Sequence, residues 1–84
     1  MTYIVNFNRH ALKELMKIKE PVYTHLKQAI YKLAENPRPQ GCKKLKGRDG
    51  YRIRVGNYRI IYDIFDAELL VDIIALGHRK DIYA

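Results

Sequence analysis

Tyr51-Arg52-Ile53-Arg54-Val55-Gly56-Asn57-Tyr58-Arg59-Ile60-Ile61-Tyr62 reads as two strands joined by the two-residue turn Gly56-Asn57. Tyr51 to Val55 alternates, and Gly-Asn is a pairing that a tight hairpin favours. A two-residue turn fixes the register: Val55 pairs with Tyr58, Arg54 with Arg59, Ile53 with Ile60 and Arg52 with Ile61. Side chains alternate along a strand, so Arg52, Arg54 and Arg59 project from one side of the hairpin. Like charges directly opposite one another destabilise a sheet, so Arg54 facing Arg59 calls for a compensating anion. The solvated-surface reading serves well for one arginine and less well for three on one side.

The remaining elements build outward from this hairpin. The second strand continues to Phe65, Ala67-Glu68 turns the chain, and Leu69 to Leu76 is a nearly continuous apolar strand expected to lie centrally. Upstream, Tyr3 to Asn8 alternates with Tyr3, Val5 and Phe7 on one side, and Asn8 is placed to cap a helix. Ala11, Leu12, Leu15, Met16 and Lys19 recur at three- and four-residue spacing, predicting an amphipathic helix over Arg9 to Lys19. Pro21 opens a second helix with Val22, Leu26, Ala29, Ile30 and Leu33 inward, and Asn36-Pro37-Arg38-Pro39 ends it. Residues Gln40 to Gly50 are polar and glycine-punctuated, a loop or short irregular strand anchored by Leu45. The order β-α-α-β-β-β predicts an α+β fold with two N-terminal helices on one face of a small antiparallel sheet. The other face stays open.

With 84 residues, the chain is expected to form one domain spanning 1–84, whose core draws on nearly every apolar side chain. Little is left to wall a deep pocket, which favours chemistry on an open surface. The one cysteine, Cys42, has no disulfide or CxxC partner, so the expected compartment is reducing and cytoplasmic. No apolar run reaches the roughly 18 residues of a membrane span, and the N-terminus lacks the layout of a secretion signal. The net charge is +7, and eight basic residues against the single acid Asp49 lie between Arg38 and Arg59. Elsewhere basic and acidic residues balance. Such a localised excess is the footprint of a polyanion partner, with a phosphate backbone foremost.

The last stretch, Leu76-Gly77-His78-Arg79-Lys80-Asp81-Ile82-Tyr83, is expected to leave the strand beside Tyr58–Phe65, close to Arg59. One end of the sheet would gather Arg59, His78, Arg79 and Tyr83. Metal-free RNA cleavage asks for these types: cations to offset charge growing on a phosphorane, and groups that exchange protons with the 2′-hydroxyl and the 5′-leaving oxygen. No cofactor or metal is expected. Lys43, Lys44, Lys46, Arg48 and Lys80 are read as RNA-backbone contacts. His10 and His25 are read as solvent-facing with a structural or neutral role, and Tyr51, Tyr58 and Tyr62 chiefly as packing.

The hairpin and the C-terminal run together resemble the RelE/ParE superfamily of toxins, in its RelE-like branch. The opening Tyr-Ile-Val-Asn-Phe-Asn-Arg-His-Ala, the Asn36-Pro37-Arg38 helix end and Lys44-Leu45-Lys46-Gly47 match as well, so the resemblance covers essentially the whole chain. It implies a RelE-like, microbial-ribonuclease-type fold and a ribosome-dependent endoribonuclease that cuts messenger RNA in the decoding site, among ribosomal RNA, by 2′-hydroxyl attack. It also implies an acidic, RelB-like antitoxin that wraps the toxin.

On the family pattern Arg59 and Arg79 would stabilise the transition state, and Tyr83 would stack on or orient the cleaved nucleotide. Arg52 and Arg54 stand where many members carry two lysines, one assigned to proton transfer. Arginine stays protonated below a pKa of roughly 12 and is a poor base, which turns attention to His78, Lys46 or Lys44. The Arg79–Tyr83 spacing is shorter than in some relatives. The ParE branch, which inhibits DNA gyrase without catalysis, shares the fold and much of the hairpin and is the alternative; a plain RNA-binding module is a third reading.

Overall fold

The structure is a computed structural model that describes residues 2–78. Strand β1 (Ile4–Phe7) leads into helix α1 (Arg9–Met16), then α2 (Val22–Lys32), a two-residue strand β2 (Lys43–Lys44), β3 (Tyr51–Val55), β4 (Tyr58–Phe65) and β5 (Leu70–His78). Two helices thus precede the hairpin strands, as the residue pattern predicts. Asn8 caps α1, its side chain accepting the Ala11 N–H at 2.8 Å. At α2 the Glu20 carboxylate accepts from the Thr24 N–H and hydroxyl at 3.0 and 2.7 Å, a role that Pro21 has no side-chain group to fill.

The sheet order is β1-β5-β4-β3-β2. β5 is an interior strand, in keeping with its apolar sequence. The hairpin register is the one the two-residue turn dictates, with Arg54 across from Arg59 and Arg52 across from Ile61; Gly56 takes the positive φ that the turn requires. One feature differs from the sequence reading. β1 runs parallel to β5, with Ile4 beside Leu70 and Phe7 beside Ile73, so the sheet is mixed rather than wholly antiparallel. The α1–α2 pair carries the chain back across one face, which allows the first strand to join an edge in the same direction as the last. The 40–50 segment takes the short-strand alternative of its reading in β2, pairing Lys43 with Arg52 and Lys44 with Tyr51.

The core lies between helices and sheet. Ala11, Leu15, Leu26, Ile30 and Leu33 meet Ile53, Ile60, Tyr62, Val71, Ile73 and Leu76. Tyr3, Val5 and Phe7 pack against the same cluster, bearing out their predicted common side. Tyr62 is fully buried and donates its hydroxyl to the Pro37 carbonyl at 2.7 Å, which ties the segment after α2 to the sheet. Burial pushes the Tyr62 phenol pKa well above its ordinary value, so it remains a donor.

Candidate functional site

Alternation sorts the sheet residues onto two faces. Ile53, Ile60 and Leu76 are paired across β3, β4 and β5 and point at the helices. Their neighbours Arg52, Arg54, Arg59, Ala75 and Gly77 therefore occupy the opposite, helix-free face, together with Lys43 across from Arg52. Ile61 lies there too, only 6% exposed yet outside the helix-side core cluster. The three hairpin arginines thus share one open face, as their spacing requires.

Their environments differ. Arg54 is exposed at the hairpin end, whereas Arg52 and Arg59 are half-buried. Among the described residues, Arg52 Nη1 is buried with no hydrogen-bond partner. A buried donor on a permanent cation is costly to leave unsatisfied, and an anionic oxygen is the group that satisfies it best. Beside these arginines β5 carries small residues: Gly77 faces Arg59 and Ala75 faces Ile61.

His78 reaches the same end of the sheet but pairs with Tyr58, one residue past the Arg59–Gly77 pair. It therefore projects to the helix side, its ring edge-on to Tyr58 at 5.7 Å, lining a cleft of about 740 Å³ with His10, Glu14 and Lys17. The expected gathering of His78 with Arg59 holds for the sheet end and not for the face; the alternation of β5 decides this. Lys44 likewise lies across from Tyr51, on the side opposite Lys43. Lys46 is exposed in the loop that follows β2. Arg79, Lys80 and Tyr83 lie outside the described residues.

The basic segment is divided rather than continuous. Arg38 donates to both carboxylate oxygens of Asp66 at 3.2 and 2.9 Å and to the Tyr51 hydroxyl at 3.2 Å, its guanidinium 5.2 Å from the Tyr51 ring. Asp66 also accepts from the Tyr3 hydroxyl at 2.6 Å. The bonds from Arg38 and then Tyr3 hold the Asp66 carboxyl below the usual carboxylate range. Arg48 is bound to Asp63 at 2.9 Å. Both arginines are thus taken up by internal acids, and Lys43, Lys44, Lys46 and Arg54 are the exposed cations of the segment. Charge along the chain gives no sign of either pairing, because Asp63 and Asp66 lie beyond the basic run; the period-two placement of Asp63 on the face of Arg59 and Ile61 is the signal available.

Among the described residues, no group of three or more His, Cys, Asp or Glu side chains is arranged to hold a metal. No helix there is long and apolar enough to cross a membrane. Cys42 is a half-buried free thiol.

A family model described as the ParE toxin of the type II toxin-antitoxin system matches residues 5–83. The chain belongs to the RelE/ParE superfamily of toxins. It is 34% identical over 83 residues to the mRNA interferase toxin RelE of Escherichia coli strain K12, across 95% of this chain and 86% of that protein. It superposes on a chain of the archaeal RelE–RelB complex from Pyrococcus horikoshii OT3 with a TM-score of 0.85 at 28% identity, covering 98% of this chain and 100% of the other. A chain of the intact E. coli RelBE toxin–antitoxin complex gives a TM-score of 0.80 at 33% identity, over 90% and 95% of the two chains. Within the superfamily these relatives place it in the RelE-like branch, as a toxin of a RelBE-type toxin–antitoxin system. The five-stranded sheet with two helices on one face is the architecture this RelE-like toxin shares with them.

Proposed function

We propose that this toxin is a ribosome-dependent endoribonuclease that cuts messenger RNA. The observation that carries the reading is the helix-free face bearing Arg52, Arg54 and Arg59, with an Nη1 on Arg52 that is buried and has no hydrogen-bond partner among the described residues. In the reaction the nucleotide's own 2′-oxygen attacks the adjacent phosphorus and the 5′-oxygen leaves, producing a 2′,3′-cyclic phosphate. Negative charge grows on the phosphorane, and fixed guanidinium groups are suited to offset it because they need no reorganisation as the charge develops. Arg59 and Arg79 take that role, Arg52 and Arg54 hold the phosphate, and Tyr83 stacks on or orients the nucleotide. Lys43, Lys44, Lys46 and Lys80 contact neighbouring phosphates of messenger or ribosomal RNA. No step in this scheme requires a metal or cofactor. The E. coli relative, named an mRNA interferase, supports the same reading.

The site of action is then the cytoplasm, and the cell must hold the toxin silent. The partner is an acidic, RelB-like antitoxin that wraps the toxin and covers the arginine face, where charge complementarity speeds and orients association. Relatives solved as RelE–RelB complexes support this.

The match to the ParE family model favours one other reading, non-enzymatic inhibition of DNA gyrase. Primer extension on cellular messenger after brief induction separates the two. New 5′ ends with wild type, and none with an Arg59→Ala, Arg79→Ala double variant, are expected. Growth arrest with intact messenger and inhibited supercoiling would replace the proposal with the gyrase reading, and full cleavage by the double variant would remove the arginines from the chemistry.

A further inference from the structure

The helix-free face carries a second like-charged cross-strand pair: Asp63 lies directly across from Asp72. Such a pair is unfavourable unless each carboxylate has a use elsewhere. Asp72 accepts from the Asn6 amide at 2.9 Å, and Asp63 holds Arg48 at 2.9 Å. Arg48 belongs to the loop between β2 and β3, which closes through the Leu45 N–H bonded to the Gly50 carbonyl at 2.9 Å, with the Leu45 side chain buried beneath. Its guanidinium crosses Gly50, where a Cβ would stand 2.9 Å from Asp63 Oδ1, 3.0 Å from Arg48 Nη1 and 3.1 Å from Leu45 Cδ1. Gly50 also has a φ of +136°, which other residues rarely adopt. Only glycine lets the ion pair close over the loop without strain.

This closure matters for the lysines. β2 is an edge strand of two residues and has little ladder of its own to hold it. Lys43 sits on the arginine face across from Arg52, and Lys46 lies inside the loop that Arg48 closes. We propose that Asp63 is a positioning residue: by drawing Arg48 across Gly50 it holds Lys43 and Lys46 beside the arginine face, so that they meet phosphates flanking the one being cut. The inference rests on the RNA-cleaving reading above. It also reassigns Arg48 from an RNA contact to the inner half of a latch.

The test compares wild type with Asp63→Asn, Gly50→Ala and the charge swap Arg48→Asp, Asp63→Arg. Cleavage kinetics on programmed ribosomes are read together with salt-dependent binding of a fluorescent single-stranded oligoribonucleotide, and each variant's fold is checked by a cooperative thermal melt. Asp63→Asn is expected to raise KM about fivefold with kcat nearly unchanged, the scale of one surface ion pair. The magnitude of its log-affinity slope against log salt should fall by about 0.7 for each phosphate that the lysines no longer reach. Gly50→Ala removes no charge and should do the same, the swap should restore binding, and Lys43→Ala should add less in the Asp63→Asn background than alone.

Unchanged KM and slope, a loss confined to kcat, or full additivity with Lys43→Ala each overturns the proposal. Tighter binding by Asp63→Asn, as expected if Asp63 merely withholds Arg48 from RNA, overturns it as well. If Asp63→Asn does not fold, Gly50→Ala and the swap decide. Wild type that binds the oligoribonucleotide but leaves messenger intact on programmed ribosomes refutes the cleavage reading, while the salt slopes still judge the latch.

Discussion

Replacing Arg52 by methionine should make the protein more stable and nearly inactive. In the free toxin Arg52 lies across from Ile61 on the helix-free face, half-buried, with Nη1 buried and without a hydrogen-bond partner among the described residues. A buried donor left unsatisfied costs about 1–3 kcal/mol. Exposed Arg54 and half-buried Arg59 on the same face add a smaller repulsion. Methionine keeps an unbranched apolar stem over this part of the sheet and removes both penalties, although it forfeits the bonds the rest of the guanidinium makes to water. The net gain is about 1 kcal/mol, which raises the melting temperature of a domain this size by roughly 4–8 °C. The same change removes a fixed cation from the phosphate and should lower cleavage about 10²- to 10³-fold. Circular-dichroism melts and cleavage on programmed ribosomes read the two effects separately. A variant that is less stable yet still cuts at the wild-type rate would refute the reasoning, because Arg52 would then hold the fold together and have no part in gripping phosphate.

Two further outcomes follow from the same geometry. His78→Gln should retain cleavage within about tenfold of wild type, since β5 turns that ring to the helix side; a loss as large as that of Arg59→Ala, on the order of 10² to 10³, would place the imidazole in the chemistry. Asp66 has its pKa depressed first by Arg38 and then by Tyr3, so its contribution is fully present above the ordinary carboxylate pKa of about 4 and is lost as pH falls through the lower folded value. Asp66→Asn should therefore melt below wild type at neutral pH, with the gap closing in acid, and a gap independent of pH would show that the carboxylate's charge plays no part.

The site is legible in the sequence where a local rule sets geometry. Gly56-Asn57 leaves the hairpin one register, and that register alone puts Arg52, Arg54 and Arg59 on one side. For His78 the sequence indicates the right end of the sheet but not the face, because the face depends on where β5 pairs with β4. A bulge shifts that pairing between Ile61 and Tyr62, and no spacing rule predicts it. The basic run is visible as charge, but which of its members remain available to a partner is not, since the acids that take up Arg38 and Arg48 come from β4 and the turn after it.

Sequence alone determined the order of elements, the tight hairpin and the clustering of cations, because each depends on neighbours within a few residues. Tertiary structure decided that the first strand lies parallel to the last, that Arg38 and Arg48 are paired with Asp66 and Asp63, and that Arg52 Nη1 is buried without a hydrogen-bond partner among the described residues. Those outcomes depend on groups far apart along the chain, whose meeting is set by how the helices and strands pack and not by any local preference.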